Sequence, residues 1–204
     1  MLSPVNVFPY IYKAKYDFNF ESIQDRVDKH LQQAAAETEL QGHDTLERDG
    51  GITSVVLSRT DPPHSWEEMN NFKEWLYKHV EEVWEEWRLA PCMKELTDSW
   101  INIHPPGAYT AKHHHQNVQV AVSCYLSVPE NSGRFMIQNP LNIYKLGEPL
   151  NYYYWDEEMD WIPVDVETND VLFFPGWLKH RTEVNNSEEN RYIMSLNIMG
   201  NLHA

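Results

Sequence analysis

Three things are scarce in this 204-residue sequence, and each scarcity narrows what the chain does. No apolar run approaches the roughly 20 residues that a membrane-spanning helix needs, so no membrane partner is expected. Basic residues are few: 16 Lys and Arg stand against 31 Asp and Glu, a formal charge of −15. No basic run interrupts that acidic field. It repels a phosphate backbone, and nucleic acid is therefore not an expected partner. Cysteine is limited to Cys92 and Cys124, far apart and outside any CxxC pair. Cys124 sits in an apolar alternating stretch and reads as a buried free thiol. With Met1-Leu2-Ser3-Pro4 lacking the regions of a secretory leader, a reducing cytoplasm is expected.

What is present is a globular composition, 42% hydrophobic and 13% aromatic with eight tryptophans. The length suits one domain, 1–204, with a helical part over about 1–97 and a strand-rich part over about 98–204. In the first part, Ile23, Val27, Leu31, Ala34 and Ala35 recur at helical spacing. Ser65-Trp66-Glu67-Glu68 has a capping-box pattern, and Met69, Phe72, Leu76, Val83 and Trp87 predict a helix to about Leu89. The glutamates between Glu67 and Glu86 read as its solvated face. From Asp98 the texture becomes short β-like runs: Ser99–Ile103, Val118–Val128, Arg134–Ile137, Val171–Phe174 and Arg191–Met199. That spacing predicts a mainly β antiparallel jelly roll with the helices packed on one sheet. Residues 141–168, with the aromatic run Tyr152 to Trp155 and Trp161, read as a hairpin insertion.

The chemistry concentrates in histidine. In Lys112-His113-His114-His115-Gln116-Asn117, extended backbone points His113 and His115 one way and His114 the other. Two imidazoles grip one metal ion, and His180, at the end of the apolar run Val171 to Phe174 and its Pro175-Gly176 turn, is the candidate third ligand. Imidazole suits iron, zinc, copper and nickel alike, so the ligands do not select the metal. The bland alternative is a histidine-rich surface turn. Asn185-Asn186-Ser187 reads as a hairpin turn that folds Arg191 back beside His180. An inward arginine near a metal calls for an anion, and a dicarboxylate that chelates the metal and forks onto Arg191 satisfies both. A surface ion pair with Glu188 or Glu189 competes with that reading. By strand parity Ser195 and Asn197 share the face of Arg191, and Tyr125 shares that of the histidines if the strand after His115 is regular. Trp100 and Asn102 are further candidates for lining the pocket.

These pieces resemble a family of 2-oxoglutarate–Fe(II) oxygenases known from bacteria and phages and related to the prolyl hydroxylase group. That family shows H-x-H-P-N-S, then S-G-V-Y-Y-L, F-P-S-W-L-x-H and E-R-I-S-I-S-F-N, with a W-x-N element upstream. Here His113-His114-His115-Gln116-Asn117, Tyr125-Leu126, Phe173-Phe174-Pro175-Gly176-Trp177-Leu178-Lys179-His180 and Glu189-Asn190-Arg191 to Asn197 follow in the same order, after Trp100-Ile101-Asn102. Gln116 replaces the family's proline, and Ala121 to Cys124 replaces most of S-G-V-Y. Most 2-oxoglutarate oxygenases carry an acid where this chain has His115, so the site has one negative charge fewer.

The resemblance implies a double-stranded β-helix. It assigns iron to His113, His115 and His180, and the far carboxylate of 2-oxoglutarate to Arg191 with Tyr125, while Asn102, Ser195 and Asn197 are candidate cofactor contacts by strand position alone. The expected activity is dioxygen-dependent hydroxylation of a small molecule or a protein side chain, with release of succinate and CO2. A three-histidine cupin-like dioxygenase that does not use 2-oxoglutarate, and a non-catalytic metal-binding module, are the alternatives. A homodimer is the expected assembly.

Overall fold

Alternation of apolar side chains places each central strand between two cores. The computed structural model describes residues 3–5, 11–40, 47–48, 50–140 and 160–201. Along the chain these form β1 (Ser3–Val5), β2 (Ile11–Lys15), α1 (Phe20–Leu40), β3 (Glu47–Arg48), β4 (Gly51–Thr53), α2 (Asn70–Glu86), β5 (Met93–His104), β6 (Val120–Ser127), β7 (Phe135–Gln138), β8 (Trp161–Val164), β9 (Asp170–Pro175), β10 (His180–Thr182) and β11 (Arg191–Asn201). Eight strands make one sheet in the order β1-β2-β9-β6-β11-β5-β4-β3, and three make another in the order β10-β7-β8. Successive strands β9, β10 and β11 alternate between the sheets, as a double-stranded β-helix requires.

The strand period of two sorts the side chains. Val171 and Phe173 of β9, Val122 and Cys124 of β6, and Met194 and Leu196 of β11 face one core. There they meet Val27 and Leu31 of α1 and Phe72, Leu76, Val80 and Val83 of α2, so both helices cover the outer face of the large sheet. Leu172, Phe174, Ala121, Tyr125 and Ile193 face the other core, between the sheets, with Phe135, Ile137 and Val164. Truncating a fully buried ring such as Phe72 or Phe173 costs about 3–5 kcal/mol, so this layering fixes the register.

Three local expectations change. The capping box at Ser65 does not form: Pro63–Ser65 and Glu67–Met69 wind into separate 3-10 turns around extended, buried Trp66, and α2 starts at Asn70. The Ser65 hydroxyl donates instead to the Pro62 carbonyl. The strand through His115 is not regular, because Asn117 adopts φ 61°. The segment after His180 is not a hairpin, since β10 pairs with β7 while β11 pairs with β5 and β6. Buried Asn185 steers that crossover, its amide donating to the carbonyls of His104 and Glu189.

The N-terminal part supplies strands as well as helices, with β2 pairing to β9. Of the insertion read over 141–168, residues 141–159 lie outside the described residues. The remainder carries β8, paired with β7, and Arg181 stacks on Trp161 at 4.5 Å.

Candidate metal centre and its surroundings

The two sheets bring His113, His115 and His180 together. One ring nitrogen from each lies within 4.8 Å of the other two. His113 and His180 are locked by a two-way backbone bridge, each N–H donating to the other's carbonyl at 3.0 Å. The N–H of His115 donates to the Gly176 carbonyl at 2.8 Å. Glycine is required there, because a Cβ would lie 2.3 Å from the carbonyl oxygen of Val118. His114 is exposed and is not one of the three.

Hydrogen bonds commit one ring nitrogen of each histidine. Nδ1 of His113 lies 2.8 Å from the Ala111 carbonyl, Nδ1 of His180 2.9 Å from that of Leu178, and Nδ1 of His115 2.5 Å from Oδ1 of Asn197. A carbonyl oxygen only accepts, so each Nδ1 carries the hydrogen and each Nε2 holds the lone pair a metal takes. Such outer partners orient metal-binding imidazoles. Asn197 is therefore an orienter of His115. On the paired strand it meets Asp98, a buried carboxylate held by Arg59 at 2.6 Å. Burial pushes Asp98 up, but the hydrogen bonds from Arg59 and Thr97 outweigh it and hold the carboxyl below its usual range. The negative charge missing from the ligand set thus stands one residue further out. Trp100 stacks on His115, with centroids 5.7 Å apart.

Arg191, with no exposed surface, lies at the far end of the same face of β11. Nη1 donates to the carbonyls of Ser132 and Gly133, and Nη2 donates to the Thr182 hydroxyl and the Glu183 carbonyl. Nδ1 of His104 accepts from Nε and Nη2 at 3.2 and 3.1 Å. No carboxylate pairs with Arg191 among the described residues, so the surface ion pair with Glu188 or Glu189 is not formed. Burial lowers the guanidinium to about 10. Burial likewise pushes the Tyr125 phenol up, and its hydroxyl is buried without a hydrogen-bond partner among the described residues. A buried cation with no counter-charge beside an orphaned hydroxyl fits an anionic group. Asn102 donates to Ser195 at 3.2 Å, so Ser195 supports the wall of the site.

A cavity of about 470 Å³ opens onto His113 and His115. Its walls include Ile52, Thr53, Val55, Trp100, Asn102, His104, Thr110 and Asn197 along with His113 and His115. None of its described lining residues is Asp, Glu, Lys or Arg.

Over residues 98–197 the chain matches the model of a family described as "Putative 2OG-Fe(II) oxygenase". The chain carries a 2-oxoglutarate–Fe(II) oxygenase domain. Fe(II) and 2-oxoglutarate are the cofactors of this oxygenase, and the triad and the buried arginine fit them. Solved structures similar to it share the fold at low identity. A prolyl-4-hydroxylase from Pseudomonas putida is 11% identical with a TM-score of 0.54, covering 93% of this chain and 92% of that one. The viral collagen prolyl hydroxylase of Paramecium Bursaria Chlorella virus-1, a 2OG complex, is 12% identical with a TM-score of 0.54, covering 92% and 94%. The epimerase SnoN, in complex with Fe3+, alpha ketoglutarate and nogalamycin RO, is 12% identical with a TM-score of 0.56, covering 93% and 78%. No curated protein matches the sequence significantly. Among the described residues no helix is long and apolar enough to cross a membrane.

Burial makes the oxygenase sensitive to acid before any ligand is added. It holds His115 down at about 4, His104 at about 3 and His180 well below 6.5. These groups stay neutral when folded and take up protons on unfolding below pH 6.5. Stability is therefore full above that value and falls as pH drops towards the folded values. Between pH 6.5 and about 5, His104 and His115 are each expected to cost on the order of 2 kcal/mol. Chemical denaturation of metal-free protein across this range checks it, and a flat profile would contradict neutral burial.

Proposed function

We propose that His113, His115 and His180 hold the Fe(II), that Arg191 with Tyr125 holds the far carboxylate of 2-oxoglutarate, and that the oxygenase hydroxylates an uncharged group. The observation that carries this reading is the convergence of three histidines whose Nδ1 atoms are all committed to oxygen acceptors. Bound there, the metal and 2-oxoglutarate supply oxidation by dioxygen, with release of succinate and CO2. The chain's own contribution is orientation. Asn197 and the carbonyls of Ala111 and Leu178 fix the imidazoles, and Phe135 and Phe174, with ring centroids 5.4 and 4.7 Å from that of His180, keep water from that side.

The lining of the cavity supports the choice of substrate. A charged group would meet no counter-charge among the lining residues, whereas Trp100, Ile52 and Val55 suit an apolar or flat part, and Thr53 and Asn102 a hydrogen-bonding one. A small molecule or a neutral protein side chain meets these terms. The free thiols Cys92 and Cys124 support a reducing, cytoplasmic setting.

Anaerobic titration with Fe(II) and then 2-oxoglutarate tests the reading. A weak visible charge-transfer band that needs both, and is lost in Arg191→Ala, is the expected result. Iron binding with no band on adding 2-oxoglutarate would replace it with a three-histidine dioxygenase of another kind.

A further inference from the structure

The cavity at the triad stops short of Arg191. His104 stands in its wall, while Arg191 lies behind and lines no part of it among the described residues. A guanidinium has five N–H groups, and here all point at acceptors inside the protein. Four backbone and side-chain oxygens take the Nη1 hydrogens and one edge of Nη2. The other edge, formed by Nε and Nη2, is the side-on fork that suits the two oxygens of a carboxylate. Both of its donors converge on a single atom, Nδ1 of His104.

His104 is itself held in that pose. Because Nδ1 accepts from arginine, Nε2 carries the ring's hydrogen, and it donates to the Thr110 hydroxyl at 2.7 Å. The tautomer is the reverse of that in the three metal ligands. The backbone N–H of Thr110 in turn donates to Thr182 Oγ1, which also accepts from Arg191. One neutral nitrogen serving two donors satisfies the fork less well than two carboxylate oxygens would.

We infer that His104 is a positioning residue that screens the anion-binding arginine, so that the co-substrate's far carboxylate gains the side-on fork of Arg191 only when the imidazole turns out of it. This deepens the 2-oxoglutarate reading above and rests on it. The consequence has a definite sign. Without the imidazole the fork is buried and unpaired, which costs the free protein stability that an incoming carboxylate restores. Removing His104 therefore tightens 2-oxoglutarate binding, whereas a purely structural His104 would leave affinity unchanged or weaken it.

The experiment is equilibrium titration of 2-oxoglutarate into the anaerobic Fe(II) protein, with thermal melts of each variant alongside. His104→Ala is expected to bind 2-oxoglutarate at least about threefold more tightly, with a lower melting temperature in its absence and a larger shift on adding it. His104→Asn, whose Oδ1 stands in the place of Nδ1, should return affinity towards that of the parent. Thr110→Val keeps the imidazole but removes its anchor, and gives the same direction as His104→Ala should the latter not fold. Unchanged or weaker binding in His104→Ala or Thr110→Val, with binding lost in Arg191→Ala, would overturn the screening role and leave the anion site standing. Unchanged binding in Arg191→Ala would remove the anion site itself, and the screening role with it.

Discussion

His180→Ala is expected to abolish tight Fe(II) binding, by at least about 100-fold, and 2-oxoglutarate turnover with it. Even the loss of an outer partner of a metal ligand weakens binding by about 10–100-fold. Here a ligand itself goes, from a set of three that includes no carboxylate to compensate. The bridge between residues 113 and 180 runs through backbone atoms, so the substitution leaves it in place. Truncating the 4% exposed ring opens a cavity beside Phe135 and Phe174 and costs stability in the range of large-to-small core changes, about 2–5 kcal/mol. Metal loss and partial unfolding are separated by near-ultraviolet circular dichroism on the same samples. His114→Ala is the matched control, since that exposed ring sits between two ligands and is expected to keep iron affinity within about threefold. A folded His180→Ala protein that retains one tightly bound iron would remove His180 from the centre.

Parity made most of this site legible in the sequence. Side chains two apart share a face, so His113 with His115 and Arg191 with Ile193, Ser195 and Asn197 could be grouped before any coordinates, and the core assignments of β6, β9 and β11 follow the same alternation. What parity does not reach is contact between distant strands. Asp98 became visible only when the pairing of β5 with β11 set it opposite Asn197. His104 continues the alternation of Trp100 and Asn102, a signal that was present, but its meeting with Arg191 depends on that same pairing. The hairpin expected after His180 failed because a polar turn between two β-like arms looks the same whether the arms pair or part to opposite sheets. Arg191 still reaches β10, through Thr182 instead of a strand ladder.

Arg191→Ala is expected to carry the second large effect, and it should appear in two separable measurements. The side chain is wholly buried and ties β11 to the loop before β7, to β10 and the segment after it, and to the end of β5, through Ser132, Gly133, Thr182, Glu183 and His104. Its removal strands those acceptors while relieving the burial of a charge. The first term is larger, because several buried acceptors lose their donor at once and each one left unsatisfied costs about 1–3 kcal/mol. Arg191→Lys keeps the charge, but a point-like ammonium does not span carbonyls on one edge and His104 on the other, so most of that loss should persist. Metal binding lies at the other end of β11, where Asn197 orients His115, and iron affinity should fall by less than about threefold in a variant that still folds at low temperature. Affinity for 2-oxoglutarate should fall by at least about 100-fold, in line with the roughly 2–5 kcal/mol lost when one partner of a desolvated charge pair is truncated. Iron-loaded, folded Arg191→Ala that binds 2-oxoglutarate like the parent protein would mean that the arginine only braces the two sheets, and that the buried phenol of Tyr125 answers to some other group.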